Sequence, residues 1–170
     1  MGLVKVLNPD MLRGQSNQST GSSSISGSTN SIAKFASSST LGNSTINDDG
    51  TFATFNKGVA ETYLPANPSS NVVTIDLTTG TVFNVSLSAN ITSFTIDNAK
   101  SSKVSSFTLF LKQDAVGSRT ITWTFTGKTL KWPNNTVPTL TLSANKTDVI
   151  GFITNDGGST WYGFLGGRNF

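Results

Sequence analysis

Hydrophobic and polar residues alternate through most of residues 71–170. Apolar side chains take every second position, and Thr, Ser, Asn and Lys fill the places between them. A period of two puts one strand face in a core and the other in water, which is typical of antiparallel sheets. Turn-forming residues divide the segment into about eight or nine strands, which predicts an all-β fold, an antiparallel β-sandwich of jelly-roll type. The apolar runs are Val73, Ile75 and Leu77; Phe83, Val85 and Leu87; Phe107, Leu109 and Leu111; Ile121, Trp123 and Phe125; Leu130 and Trp132; Leu140 and Leu142; Ile150 and Phe152; and Trp161 and Leu165.

A weaker β pattern covers residues 32–70. Its apolar residues are spaced by Ser and Thr, and the stretch from Asn47 to Gly50 is typical of a hairpin turn. These residues are too few for an independent core, whereas three copies wound together would share one, so the pattern predicts a β-rich linking segment and a homotrimer. The Pro65-Ala66-Asn67-Pro68 stretch marks the end of this segment.

Residues 1–31 form a predicted extended polar arm. From Gly14 to Ser31 the segment is Ser, Thr, Gly, Gln and Asn with Ile25 as its one strongly hydrophobic residue. Such a composition predicts a flexible linker, or an arm that orders only against a partner. A short apolar piece precedes it and is predicted to pair with the sheet edge or groove of another protein. The alternative is a terminal strand of the chain's own domain; in either case the contact residues are Leu3, Val4, Val6 and Leu7.

The composition argues against helices and against several kinds of catalysis. The chain holds 24 Ser and 25 Thr but a single Glu, Glu61, a usage that suits strands and disfavours helices. Cys and His are both absent. Disulfides, Cys and His zinc sites, and Ser-His-Asp or Cys-His catalysis are therefore excluded.

The charge pattern does not indicate a nucleic-acid or membrane partner. The net charge is +3, and the basic residues between Lys100 and Lys131 alternate with Ser and Thr instead of clustering. A nucleic-acid groove would combine clustered cations with exposed aromatic residues. The apolar piece from Gly2 to Leu7 is too short for a signal peptide or a membrane span.

Carboxylates, Lys, Ser and Tyr remain as possible catalytic groups, and paired carboxylates could perform glycoside hydrolysis. Most of the Asp residues of the C-terminal segment stand in turns, at strand ends or at outward positions, and the Gly pairs match no phosphate-binding loop. Asn47 to Asp49 lacks an acidic residue at the spacing of a calcium loop. The sequence predicts a non-enzymatic protein without a cofactor or metal site; the carboxylates considered are Asp76, Asp97, Asp114, Asp148 and Asp156.

Four aromatic residues are candidates for an exposed or intersubunit surface. Trp132 directly precedes Pro133, and Trp161 and Tyr162 directly follow a turn. Phe170 ends the sequence. Trp132, Trp161 and Tyr162 either pack against a neighbouring subunit or stack on sugar, and Phe170 packs into the sandwich or a neighbouring subunit. Trp123 is in phase with Ile121 and Phe125 and is predicted to lie in the core.

An ordered set of short motifs between residues 73 and 170 resembles a C-terminal module found in structural proteins of tailed phages, especially marine ones. Residues 37–54 also resemble linking repeats of phage fibres. The motifs are Thr74-Ile75-Asp76-Leu77, Phe107 to Asp114, Arg119 to Trp123, Lys131-Trp132-Pro133, Pro138-Thr139-Leu140 and Asp156 to Gly163.

This resemblance implies a component of the virion surface, synthesised in the host cytoplasm. The chain has no extended shaft, which departs from the long-fibre pattern and favours a capsid decoration or head-fibre protein. Its arm would then bind the major capsid protein or another virion protein. The alternative is a tail-fibre or tail-tip protein whose β-sandwich binds a host receptor, for example a surface glycan.

Overall fold

The computed structural model describes residues 28–38 and 41–170. Within these residues the protein is mostly β, with strands, one 3₁₀ turn and no α-helix, so the β-rich fold predicted from the composition is confirmed. Contacts along the chain define two compact units, Met1–Val59 and Ala60–Phe170.

The first unit contains a three-stranded antiparallel sheet. Its strands are β1 (Ser31–Phe35), β2 (Leu41–Asp48) and β3 (Ala53–Phe55), paired in that order. The turn between β2 and β3 is closed by two carboxylates, since Asp48 accepts from the Gly50 amide and Asp49 accepts from the amide of Phe52. The backbone amides of Phe52 and Thr51 lower the pKa of Asp49. Gly50 has φ of +85°, which confirms the turn predicted here.

The second unit combines a six-stranded and a two-stranded sheet. The six-stranded sheet has the order β4-β6-β8-β10-β11-β9, and β5 pairs with β7. The unit begins at residue 60, ahead of the sequence-based boundary at residue 71, because β4 pairs with β6 inside it. The strands are β4 (Tyr63–Pro65), β5 (Val72–Asp76), β6 (Val82–Leu87), β7 (Ser93–Asp97), β8 (Ser105–Gln113), β9 (Thr129–Lys131), β10 (Thr147–Thr154) and β11 (Thr160–Gly167).

The prediction of a purely antiparallel fold is wrong for this unit. The β4–β6, β6–β8, β5–β7 and β9–β11 pairs are parallel, and only β8–β10 and β10–β11 are antiparallel among the paired strands. From β4 to β8 the chain passes to the other sheet at every step. The chain leaves one sheet, forms a strand in the other sheet and then comes back. The returning strand therefore runs in the same direction as the strand before the crossing and pairs with it in parallel. Residue alternation within a strand does not indicate this direction.

One hydrophobic core is shared by the two sheets of the second unit. The inward positions are those of the predicted period, for example Val73 and Ile75 on β5 and Leu109 and Leu111 on β8, all of which are buried. Burial of such side chains contributes about 1.5–3 kcal/mol each. The alternation therefore identified the buried face of β5, β6 and β8 correctly. It was wrong for Leu142 and Leu165, which are 48 % and 45 % exposed.

Two of the predicted strands are irregular in the structure. Ile121 and Phe125 make isolated parallel bridges to Ile91 and Phe94, so that segment continues the layer of β7 without forming a regular strand. The segment that contains Leu140 and Leu142 lies outside the strands altogether. Both segments pack against the core, which explains their apolar periodicity.

Candidate functional site

Seven aromatic rings pack together at the end of the core formed by β8, β10 and β11, and an eighth, Phe83, meets only Phe107, edge to face at 6.5 Å. Phe107 and Phe152 are stacked with centroids 4.9 Å apart, and the rings of Trp123 and Trp132 meet edge to face at 5.2 Å. Such pairs contribute about 0.5–1.5 kcal/mol beyond the area they bury. The cluster consists of Phe94, Phe107, Trp123, Phe125, Trp132, Phe152 and Trp161.

Trp161 belongs to the core, and its assignment to the surface is a wrong prediction. Its side chain is 0 % exposed, and its indole N–H donates to the carbonyl of Gly158 at 3.0 Å. The preceding turn suggested exposure. Trp161 nevertheless takes an inward position of β11, where its ring meets Phe107 and Phe125.

Trp132 is also mostly buried, with 9 % of its surface exposed. Its ring lies over Gly163 of β11, where a Cβ atom would stand 2.7 Å from Cη2 of the indole. Only glycine admits this close approach. The prediction of an exposed Trp132 is therefore wrong for most of its surface, although the residue lines a cleft.

This cleft lies between β9, the 3₁₀ turn and β11 and has a volume of about 380 Å³. The parallel pairing of β9 with β11 sets Lys131 opposite Tyr162, so the two predicted motifs around Trp132 and Tyr162 are brought together. We call it the aromatic cleft; it is lined by Lys131, Trp132, Pro133, Asn135, Tyr162, Gly163 and Phe164.

The exposed aromatic surface of the cleft comes from Tyr162 and Phe164. Their side chains are 43 % and 49 % exposed, so the predicted exposure of Tyr162 is confirmed. The Lys131 ammonium lies 5.8 Å from the centroid of the Tyr162 ring, a cation–π contact. Lys131, Asn135 and Phe164 were missed as site residues, because only the β9–β11 pairing brings them to one place.

Phe170 is exposed, in agreement with its predicted surface position. Its backbone pairs with Thr147 in both directions, at 3.1 and 3.2 Å, and its ring lies against Gly167. The last residue is therefore bonded to the start of β10 while its ring faces outward.

The buried carboxylate of Asp148 bonds to the backbone of the residue next to Phe170. Asp148 is 2 % exposed and accepts from the amides of Thr141, at 2.6 Å, and Asn169, at 2.9 Å. Arg168 donates to the carbonyl of Thr139 at 2.7 Å. Asp148 thus joins the irregular segment before β10 to the segment after β11.

The other carboxylates considered in the sequence serve turns and ion pairs. Asp114 forms a 2.7 Å ion pair with Arg119, whose side-chain hydrogen bond lowers the pKa of Asp114. Asp156 accepts from the Thr160 amide at 2.9 Å, and this bond lowers its pKa to about 2.

A similar local role applies to Asp76 at the end of β5. It accepts from Asn98 and from Thr78, and these donors lower its pKa. Asp97 is exposed and its side chain has no partner within the described residues. No group of three or more acidic residues in the described part of the chain is placed to hold a metal ion.

The small sheet of the first unit has no core of its own. Among residues 28–38 and 41–59 none is buried, and Phe35, on β1, is 79 % exposed. Phe35 lies opposite Leu41, and Ile46 lies opposite Phe55. Ile32 and Phe35 are three residues apart on β1, so their side chains point to opposite faces of the sheet. Both faces therefore carry exposed apolar side chains, since Ile32 is 45 % exposed and Phe55 is 57 % exposed.

The predicted arm contacts Leu3, Val4, Val6 and Leu7 lie outside the described residues. No helix in the described residues is long and apolar enough to cross a membrane. The chain matches no protein-family model, no curated protein and no solved structure. Fold and surface define the class as a mostly β protein with an uncovered apolar sheet and an aromatic cleft.

Proposed function

We propose that the chain is a non-enzymatic structural protein of a tailed-phage particle, a capsid decoration or head-fibre protein. Residues 1–31 attach it to the major capsid protein or another virion protein, the first unit holds three copies together, and the second unit is a β-sandwich exposed on the particle. The observation that carries the proposal is the β1–β3 sheet, whose apolar side chains are exposed on both faces. The resemblance to phage virion modules supplies the biological setting.

The physical argument for assembly rests on the missing core. Ordering a residue costs about 1–2 kcal/mol of backbone entropy, and a small sheet offsets that cost only if it buries a hydrophobic face. In a single chain the side chains of Phe35 and Phe55 remain in water. A symmetric closed assembly buries equivalent stripes from each copy around one axis.

The assembly is tested by the mass of the full chain in solution. We expect a trimer for the native sequence and a monomer for the double variant Phe35→Ser, Phe55→Ser, with unchanged tryptophan fluorescence because all three tryptophans lie in the second unit. The control Val116→Ser alters an exposed valine of the second unit and leaves the trimer intact. A native chain that is monomeric at micromolar concentration contradicts the proposal.

Attachment is tested with intact particles. Deleting residues 1–13 removes Leu3, Val4, Val6 and Leu7, and we expect the trimer to remain folded but to stop binding the capsid. Electron cryo-microscopy of particles then locates the protein. Many copies on the capsid lattice support the proposal; binding that survives the deletion, or density confined to the tail, contradicts it.

The second candidate is a tail-fibre or tail-tip protein that binds the host surface. The aromatic cleft favours it, because half-exposed aromatic rings beside an unpaired cation are suited to ligand recognition. In that case the purified protein binds host cells, and Tyr162→Ala abolishes the binding while thermal unfolding stays unchanged.

A further inference from the structure

Three features suit the aromatic cleft to ligand binding. Its volume of about 380 Å³ falls in the usual range of ligand pockets. Its exposed rings, Tyr162 and Phe164, lie on β11, a strand whose neighbour β10 is buried in the core, so the two rings are rigidly placed. Trp132, which also lines the cleft, is held against the core by contacts with Trp123 and Phe152.

Its polar groups are free to meet a ligand. The ammonium of Lys131, the side-chain amide of Asn135 and the hydroxyl of Tyr162 have no hydrogen-bond partner among the described residues. Asn135 has φ of +53° at the end of the 3₁₀ turn. Unpaired donors at the rim of an apolar cleft provide orientation, while the rings provide contact area.

The charge of the cleft is one-sided. Lys131 is its only ionised residue, and no Asp or Glu is part of the lining. The described residues contain one ion pair, between Arg119 and Asp114. No acidic side chain among them therefore pairs with the charge of Lys131. A ligand that carries one negative charge complements this arrangement.

We infer that the aromatic cleft binds a saccharide that carries a carboxylate. An aromatic ring presents a negative face, which attracts the partly positive C–H hydrogens on the flat side of a pyranose. The hydroxyl groups of the sugar pair with Asn135 and the Tyr162 hydroxyl, and its carboxylate pairs with Lys131. This inference deepens the second candidate function, on which it rests, and does not depend on the trimer.

The inference is tested on the full chain with two probes, D-glucuronate and the neutral D-glucose, by calorimetric titration and ligand-observed NMR. We expect a dissociation constant on the order of 1 mM for glucuronate and about tenfold weaker binding of glucose, since one charge-assisted hydrogen bond separates them. Tyr162→Ala weakens both sugars about tenfold or more, because the stacking surface is lost.

Two further variants separate the cleft from the rest of the sheet. Lys131→Met removes the preference for glucuronate and leaves glucose binding within about twofold. Tyr63→Ala, at an exposed tyrosine of β4 outside the cleft, leaves both affinities unchanged. The substituted side chains are exposed, so we expect each variant to fold with an unchanged unfolding temperature.

Several results would overturn the inference. These are no saturable binding of either sugar up to about 50 mM, native-like binding by Tyr162→Ala, or an undiminished preference for glucuronate in Lys131→Met. If the protein binds host cells but not these sugars, and Tyr162→Ala still abolishes cell binding, the host-binding function stands while the saccharide assignment fails.

Discussion

Asp148 is the residue whose replacement should damage the second unit in the most diagnostic way. Its carboxylate is buried on the inward face of β10, and each oxygen accepts one backbone amide, Thr141 at Oδ2 and Asn169 at Oδ1. Neither amide makes another hydrogen bond among the described residues. Removing the carboxylate therefore takes a charged acceptor from two backbone donors at partly buried positions.

The expected loss follows from these two bonds. A donor left without its acceptor costs about 1–3 kcal/mol, so Asp148→Ala should lower the free energy of unfolding by about 4 kcal/mol. Asp148→Asn keeps the shape and one oxygen acceptor but presents N–H₂ to the other amide, and should cost about 2 kcal/mol. At about 4 °C per kcal/mol for a domain of this size, the unfolding temperature falls by about 16 °C and about 8 °C.

Urea and thermal unfolding, followed by tryptophan fluorescence, measure these losses. The matched control is Asp97→Asn at an exposed carboxylate, which should change the free energy of unfolding by less than about 0.5 kcal/mol. Hydrogen exchange adds a site-specific readout. Both the Thr141 and Asn169 amides should lose protection in Asp148→Ala, and only one of them in Asp148→Asn. Equal losses for the two variants, or protected amides in Asp148→Ala, would refute the reasoning.

Three further predictions concern packing, pH and a buried amide. Gly163→Ala forces its Cβ into the indole of Trp132 and should cost about 1–3 kcal/mol with a red-shifted fluorescence maximum; an unshifted spectrum would contradict the close contact. Asp156 has a folded pKa of about 2, below its ordinary value of 3.8, so its stabilising contribution is present above about pH 4 and is lost as the pH falls through about 2. In Asp156→Asn the urea concentration at the unfolding midpoint should therefore change less between about pH 5 and pH 2 than in the native chain. An equal change with pH in the two proteins would contradict this role of Asp156. Gln113 is buried and bonds through its side chain to both backbone groups of Arg119 and to the Thr141 carbonyl, so Gln113→Leu should cost about 3 kcal/mol by urea unfolding, and a neutral effect would show that water replaces the amide.

Much of the buried face was predictable from residue alternation. The inward positions of β5, β6 and β8 follow the predicted period, since a pleated strand turns successive side chains to opposite faces whatever its neighbours are. The turn at Gly50 was predictable for a similarly local reason, because it depends on the positive φ of one glycine and on two nearby Asp side chains.

The candidate site was only half predictable. Tyr162 and Trp132 were singled out in the sequence, but Trp161 was placed on the surface with them and lies in the core. Local context could not separate these neighbours, because their exposure depends on what the opposite sheet and the 3₁₀ turn bring against β11. Phe164 occupies an outward position where the pattern led us to expect a polar residue.

By itself, then, the amino-acid sequence determined the strand-rich composition, the period-two faces and the glycine turns, all of which arise from interactions within a few residues. The tertiary structure alone decided that β4, β6 and β8 run parallel and that β9 joins β11 to form the aromatic cleft. The alternation of residues predicts which face of a strand is apolar. It does not predict which strand lies beside it or in which direction that neighbour runs. Those choices depend on contacts between residues far apart in the chain, and there the pattern of a single strand carries no information.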